Sequence, residues 1–361
     1  MLLPAIGESG QAALGSSHAL IVGCGALGCA IADGLARAGV GTLTIVDRDI
    51  IEITNLQRQI LYDEKDVATG MPKAAAAKAR LNAINSAVTI HAHVDDFNHQ
   101  NAERLAHSAD IILDGLDNFE TRYLLNDLAV SRGLPYVYGG AVGVSGVSMC
   151  VLPHDATRQT ESTTSVKWSS DQSTPCLRCV FPEAPPPGAT PTCDTAGVLG
   201  PIVMMIAAHQ VAQAIKLLTG NINAIDRSLL SIDAWDNDIR RFDISGARNP
   251  QCPCCGQGQF DFLRGEAAQL TAALCGRDAV QITPPAAAAA SALDLASMAR
   301  TLASHGSFSS NRFLLRGEFA HERGENGSAV ELTLFPNGRA IIKGVHSSDQ
   351  ARAIYAKYIG A

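Results

Sequence analysis

The sequence predicts an α/β fold, with a mostly parallel sheet in a first domain and a small α/β domain after it. Three observations carry this prediction. Between residues 19 and 150, short apolar runs alternate with helical stretches. The first run ends in a glycine-rich turn that opens a helix. Beyond about residue 268, after a stretch rich in Pro and Ala, a second set of strand and helix patterns begins.

The elements follow in order. "ALIVG", "TLTIVD", "VTIHAHV", "DIILDGL" and "PYVYGGAV" are apolar runs of strand length, the pattern of strands buried on both faces. "LGCAIADGLARAGV" and "PKAAAAKARLNAIN" are helical stretches between them. Strand, helix and strand in succession require right-handed crossovers, hence parallel neighbours. Ligands then belong at the carboxyl ends of the strands. Residues 154–195 accumulate Ser, Thr and Pro and are expected to form a long irregular crossover. An apolar helix is expected near 198–219, then "SLLSIDAW" and "DIRRFDI" as paired strands. The first domain is placed at 1–265 and the second at 268–361. In the second, "TPPAAAAASALDLA" reads as a linker into a helix. "NRFLLRGEF" and "AVELTLFPNGRAIIKGV" read as strands, with Phe335-Pro336-Asn337-Gly338 as a hairpin turn. "SSDQARAIYAKYIG" reads as a final helix capped by Ser347 or Ser348.

Composition narrows the function. Of 361 residues, 47% are hydrophobic and 17% charged, and 28 Lys+Arg face 35 Asp+Glu for a net charge of −7. That balance argues against a general nucleic-acid binder, which carries a basic footprint. The start, "MLLPAIGESGQ", has no basic segment and meets Glu8 early, so no secretory signal is read there and a cytoplasmic protein is expected. "GVLGPIVMMIAAHQVAQAIKLL" has the length of a membrane span, but Pro201, His209, Gln210, Gln213 and Lys216 interrupt it. A buried helix is the expectation. Ten cysteines in close pairs within such a chain favour metal binding over disulfides.

"IVGCGALGCAIADGL" sets Gly23, Gly25 and Gly28 in G-x-G-x-x-G spacing after a strand. The glycines permit a tight turn, and the helix N-terminus offers free N–H groups to a phosphate. Asp47 ends the next strand, where a carboxylate accepts from both ribose hydroxyls. This predicts a Rossmann-like site for an adenine nucleotide, and NAD is the competing ligand. The residues after Asp47 separate the two. Arg58 in "TNLQRQ" and Lys73 in "GMPKAAAAKAR" supply two cations, which suit a triphosphate because they neutralise charge on departing pyrophosphate. Either cation alone reads more readily as a surface charge than as a phosphate ligand. Asp117, placed at the end of strand "DIILDGLDN", is the candidate Mg²⁺ carboxylate, with Asp114 as the alternative. The structural reading of either acid is a cap for the helix starting near Phe119.

The cysteines form two close sets. "PCLRC" holds Cys176 and Cys179, and "NPQCPCCG" holds Cys252, Cys254 and Cys255. Paired C-x-x-C units separated by a long insertion suit a tetrahedral zinc site, and the spacing selects Cys252 and Cys255 for the second pair. Cys254 is left over. Such a Cys₄ site has no open coordination position and a structural role. Cys193 stands alone just before a helix, where a thiol's pKa falls. Cys24, Cys29, Cys150 and Cys275 read as small core residues. His91, His93, His99 and His107 lack helical ligand spacing and read as surface or satisfied histidines.

"GCGALGC", "AGVGTLTIVDRDIIEITNLQRQIL", "PKAAAAKARLNAIN", "DGLDNFETRYLLND" and "GGAVGVSG" occur in one order. Together they resemble the ThiF/MoeB family, bacterial relatives of ubiquitin-activating enzymes, over about residues 2–262. "TAGVLGP" leans toward the ThiF branch. The resemblance implies ATP-dependent adenylation of the C-terminal Gly-Gly carboxylate of a ubiquitin-fold sulfur-carrier protein, ThiS-like or MoaD-like, with release of pyrophosphate. It implies a homodimer, Mg²⁺, a structural Zn²⁺ and work alongside a sulfurtransferase. By the resemblance Asp47 binds ribose, Asn55, Arg58 and Lys73 handle phosphate, and Asp117 is linked to Mg²⁺. Asp49, Gln59 and Asn118 join them as expected nucleotide contacts, while Arg122 and Asn126 are a supporting pair. Cys193 matches a cysteine implicated in covalent linkage or sulfur transfer to the carrier. Family members usually open with a segment like R-Y-x-R-Q-I, whose arginine reaches the partner subunit's ATP. The sequence opens at "MLLPAIGESGQ" instead, and three explanations compete: a misassigned start site, another arginine in that role, or binding without efficient adenylation. Two further readings compete: a non-catalytic zinc-stabilised adaptor for a ubiquitin-fold protein, and an NAD-dependent oxidoreductase.

Overall fold

The computed structural model describes residues 3–154, 168–183, 197–266, 273–274, 279–282, 293–324, 327–345 and 347–359. The chain divides into two compact units, which meet in sequence near residue 268. The first opens with α1 (Gly7–Ser16), β1 (His18–Val22), α2 (Ala26–Ala38), β2 (Thr42–Val46), α3 (Glu64–Ala68), α4 (Lys73–Ile84) and β3 (Thr89–His93). It continues through α5 (Ala102–Leu105), β4 (Ile111–Asp114), α6 (Phe119–Arg132), β5 (Tyr136–Val142) and β6 (Ser145–Val151). It closes with α7 (Leu177–Val180), α8 (Gly200–Leu218), β7 (Leu229–Asp233) and β8 (Asp238–Phe242).

The eight strands form one sheet in the order β3-β2-β1-β4-β5-β6-β7-β8. Pairing is parallel from β3 to β5 and antiparallel from β5 to β8. Strand alternation divides the core between the two faces. Ala19 and Ile21 of β1 join Leu43 and Ile45 in a layer with residues of α2, α4 and α8. Leu20 and Val22 face the other way, into a layer built with α5 and α6. Chain order reverses between β1 and β4, so the crevice at their carboxyl ends is a topological switch point.

The apolar segment is α8. It is long and apolar enough to cross a membrane by length and composition, yet half of its most apolar stretch is buried within the protein. Its polar interruptions explain why: Gln210 is fully buried and donates through Nε2 to Asp114 O (2.9 Å) and Val137 O (3.1 Å). Gly139 leaves the room for it, since a Cβ there would meet the Gln210 carboxamide at 2.4 Å. "PCLRC" is not wholly irregular, because α7 forms within it.

The second unit contains β9 (Ala273–Leu274), β10 (Ala279–Ile282), α9 (Leu295–Leu302), β11 (Gly306–Ser310), β12 (Leu315–Arg323), β13 (Ala329–Leu334), β14 (Ala340–Lys343) and α10 (Ser348–Tyr358). Its sheet, ordered β11-β12-β13-β14-β10-β9, is antiparallel throughout. Phe319, Val330, Leu332, Leu334 and Ile342 fill its core with Ile354 of α10. The hairpin turn forms at Phe335–Gly338, where Gly338 N donates to Phe335 O (3.0 Å) and Gly338 takes φ +82°. Ser347 Oγ accepts from Gln350 N at 3.4 Å, which selects Ser347 as the cap. One expected strand is displaced. "NRFLLRGEF" begins as a turn, because Asn311 Oδ1 accepts from Phe313 N and Leu314 N and delays β12 to Leu315. The linker read at 283–292 lies outside the described residues.

Candidate active site and cysteine cluster

The glycine turn joins β1 to α2, against the loop that follows β4. A Cβ on Gly28 would lie 1.9 Å from Gly23 O, and one on Gly23 would lie 2.6 Å from Gly115 O. These two glycines are required by the protein's own packing. Gly25, the N-cap of α2, is different: a Cβ there would meet nothing nearer than 3.9 Å. No side chain caps that helix end, so its first amides remain for a ligand. Gln59 Nε2 borders the same space, and Gln59 Oε1 is buried with no hydrogen-bond partner among the described residues.

Asp47 follows the last residue of β2. Its Oδ2 accepts from Cys24 N (2.6 Å) and its Oδ1 from Asp49 N (2.7 Å). Burial pushes its carboxyl above the usual range, while the Lys73 charge works the other way. Lys73 is the first residue of α4 and only 3% exposed. Its Nζ pairs with Asp49 Oδ2 at 2.9 Å, and its backbone N donates to Asp49 O. The glycine turn, Asp47, Asp49 and Lys73 therefore form one connected network. Tyr62 fastens the turn from below, donating to Cys24 O at 2.7 Å.

Other sequence-selected residues stand differently. Asn55 is buried, but its Oδ1 accepts from Glu52 N (3.0 Å) in a reciprocal capping arrangement. Arg58 is half-buried and donates to Thr54 O (2.9 Å). Strand β4 ends at Asp114, so Asp117 lies three residues into the following loop, and it is exposed. Asn118 is the N-cap of α6, accepting from Thr121 N at 2.9 Å, so neither Asp114 nor Asp117 caps that helix. Asp114 is excluded as the alternative magnesium ligand. It is fully buried, accepting from Tyr136 Oη (2.6 Å) and Leu116 N (2.9 Å) and facing Arg122 Nε at 3.4 Å.

Arg122 and Asn126 serve different places. Arg122 Nη2 donates to Leu116 O (2.7 Å) and Gly139 O (3.1 Å), bracing the loop beyond β4. Burial works against its charge, but Asp114 and the Tyr138 and Tyr136 hydroxyls outweigh that and raise its pKa. Asn126, one turn further along α6, supports the cysteines instead of the nucleotide turn. Its Oδ1 accepts from Leu177 N (2.7 Å) and its Nδ2 donates to Cys254 Sγ (3.2 Å). The sequence reading passed over Arg48, which pairs with Asp96 at 2.7 Å and approaches Asp49 at 4.0 Å. Its position beside Asp47 was the available signal.

Cys176, Cys179, Cys252 and Cys255 converge, their sulfurs all within 4.8 Å of one another. Three separations are 3.7 Å (Cys176–Cys252), 3.4 Å (Cys179–Cys255) and 3.9 Å (Cys176–Cys179). A tetrahedron with Zn–S bonds of about 2.3 Å has edges of about 3.8 Å, so the four fit a zinc ion. Hydrogen bonds from Cys176, then Cys179 and Cys255, hold the Cys252 thiol low, while Cys176 and Cys179 push Cys255 up. Cys254 is buried beside the cluster, and Cys24, Cys29 and Cys150 are buried in the core. Cys193 and Cys275 lie outside the described residues.

A doubly wound α/β protein with a glycine turn at its switch point is the class that the fold and this site define. The chain belongs to the ThiF family, which matches residues 1–254. It is an adenylyltransferase of the ubiquitin-activating type. The "Sulfur carrier protein ThiS adenylyltransferase" of Bacillus subtilis (strain 168) is 40% identical over 360 residues, covering 99% of this chain and 97% of that protein. A "Sulfur carrier protein adenylyltransferase" of Thermus thermophilus is 37% identical over 256 residues, 71% of this chain and 88% of that one. Among solved structures, E. coli MccB with ATP superposes with a TM-score of 0.55 at 23% identity, over 69% of each chain. That likeness concerns the fold.

Proposed function

We propose that this adenylyltransferase acts on a ubiquitin-fold sulfur-carrier protein ending in Gly-Gly. A carboxylate oxygen of the carrier attacks the α-phosphorus of ATP, the bond to the bridging oxygen breaks, and pyrophosphate leaves with the electron pair. The carrier is left as an acyl adenylate. The observation that carries this reading is the buried Lys73, tied through Asp49 and Asp47 to the glycine turn. A buried cation there is of little use to a hydride carrier and of direct use to a departing diphosphate. Identity across both units with the Bacillus subtilis ThiS adenylyltransferase supports a ThiS-like carrier over a MoaD-like one.

In this reading Gly25 and the α2 amides receive phosphate, Asp47 receives ribose, and Arg58 and Lys73 offset charge on the leaving group. Asn55, Gln59 and Asn118 border the same ligand. Asp117 would hold Mg²⁺, which screens the phosphates when bound. Zinc on the four cysteines would brace the fold, since four thiolates leave no open position. A homodimer in the cytoplasm, serving a sulfurtransferase, completes the proposal.

Exchange of labelled pyrophosphate into ATP tests it. Exchange is expected only with a Gly-Gly carrier present, and Lys73→Ala is expected to lower it about 10²–10³-fold. No exchange with any such carrier would sink the proposal.

A further inference from the structure

The histidines of "VTIHAHV" have no part in the nucleotide site, and the structure gathers two of them with a third. His91 pairs with Thr44 and His93 with Val46 in the parallel register of β2 and β3. Alternation sets both on one face, about 7 Å apart along the strand. His18, two strands away, opens β1 opposite Thr42. Over this part of the sheet lies α5, four residues long. A groove of about 390 Å³ remains, lined by three histidines, Arg104, four Ser and Thr hydroxyls, and Leu105.

The chemistry of that lining is one-sided. His18 Nδ1 lies 2.9 Å from Ser108 O, a pure acceptor, so this nitrogen carries the proton. Nε2 is hydrogen-bonded with Thr44 Oγ1 at 2.8 Å. Both ring nitrogens of His18 are thereby engaged within the protein. The groups left to meet a ligand are the Arg104 guanidinium, His91 and His93. No carboxylate lines the groove among the described residues. The nearby acids are Asp110, whose Oδ2 accepts from His18 N (2.8 Å), and Asp95 after β3, whose charge acts on His93 in the raising direction. Lys78 of α4 adds a further positive charge near His93. Burial, then Arg104, then His91 push His93 below its usual range. A divalent cation would add to that repulsion, whereas an oxyanion reverses it.

We propose that this groove is a second anion site, which takes a phosphate-class oxyanion apart from the glycine turn. His18 starts β1 and Gly23 follows its end, so the two sites lie about 17 Å apart along the strand. The site stands on its own residues and does not depend on which protein is adenylated.

The test uses the full chain and inorganic pyrophosphate, followed through the histidine ring signals in NMR. Pyrophosphate is expected to shift the His91 and His93 signals as the Arg104 guanidinium draws it into the groove. Arg104→Glu is expected to abolish the shifts and His91→Gln to weaken them. Both residues are exposed, so both variants should fold. Lys73→Ala, at the nucleotide site, is expected to leave the shifts intact. Three results would overturn the proposal: unmoved histidine signals, equal binding by Arg104→Glu, or a response to Zn²⁺ with none to pyrophosphate.

Discussion

In the first unit, buried charges gather at the carboxyl ends of β1, β2 and β4. There Lys73 answers Asp49, Arg122 answers Asp114, and Asp47 binds two backbone amides. The second unit buries the Arg339 guanidinium against the Phe335 ring (3.7 Å), with Nη1 donating to Gln281 Oε1, beneath an otherwise apolar sheet. Removing an ion from water costs several kcal/mol unless partners replace the hydration. A chain that buries several ions side by side at the open end of a sheet has built a site there. Arg339, set on the Phe335 ring at the hairpin turn, stiffens that turn. The clustering of ion pairs at the strand ends of the first unit is what the proposed nucleotide site rests on.

The comparison can be broken most forcefully at the cysteines. Replacing Cys176 and Cys252 together by Ser removes half of the tetrahedron and forfeits metal-binding energy on the order of 10 kcal/mol. The first unit's thermal transition is expected to collapse while the second unit's persists, as read by calorimetry beside a zinc assay. Loss of both transitions together would show that the units do not differ in this way. A smaller effect is expected at Asp114. Asp114→Ala leaves the Arg122 charge buried without its carboxylate and is expected to cost about 3–5 kcal/mol in urea unfolding. An unchanged midpoint would mean that the pair does not organise the strand ends. The smallest effect sharpens the distinction between burial and pairing. His209 of α8 contacts Ser148 Oγ (3.1 Å) and Asp226 Oδ2 (3.5 Å). Burial lowers its pKa despite Asp226. The unfolded chain therefore takes up a proton near pH 6.5 that the folded chain refuses, and stability falls as pH drops through that value. His209→Gln is expected to flatten the slope between pH 7.5 and 5.5, measured by urea midpoints, and a slope that stays the same would show that burial at this position is not the cause.

Much of this was legible before folding because its signals are local. The glycine turn, Asp47 and the two C-x-x-C pairs are spacings within short windows. Each spacing is a geometric demand that few other arrangements satisfy. The apolar helix was legible for a related reason: Gln210 and Gln213 interrupt a run that lipid would not accept, and the interior accepts it by pairing Gln210 with two carbonyls. Asp117 misled because strand propensity in "DIILDGLDN" does not mark its own end. Asp114 turns inward to Tyr136 and Arg122, and β4 stops there. Asn126 misled because neighbours on a helix need not serve the same place. One turn separates it from Arg122, and that turn carries it from the loop beyond β4 to Leu177 and Cys254.

By itself the sequence determined the kind of sheet, the glycine turn, the paired cysteines and the family. These follow from backbone sterics and side-chain periodicity over a few residues. Tertiary structure alone decided which acid stays at the surface, which arginine is braced, and that His18 meets His91 and His93 across β2. Those outcomes depend on register between strands and on the cost of leaving a buried charge unanswered, and neither is written in any single segment of chain.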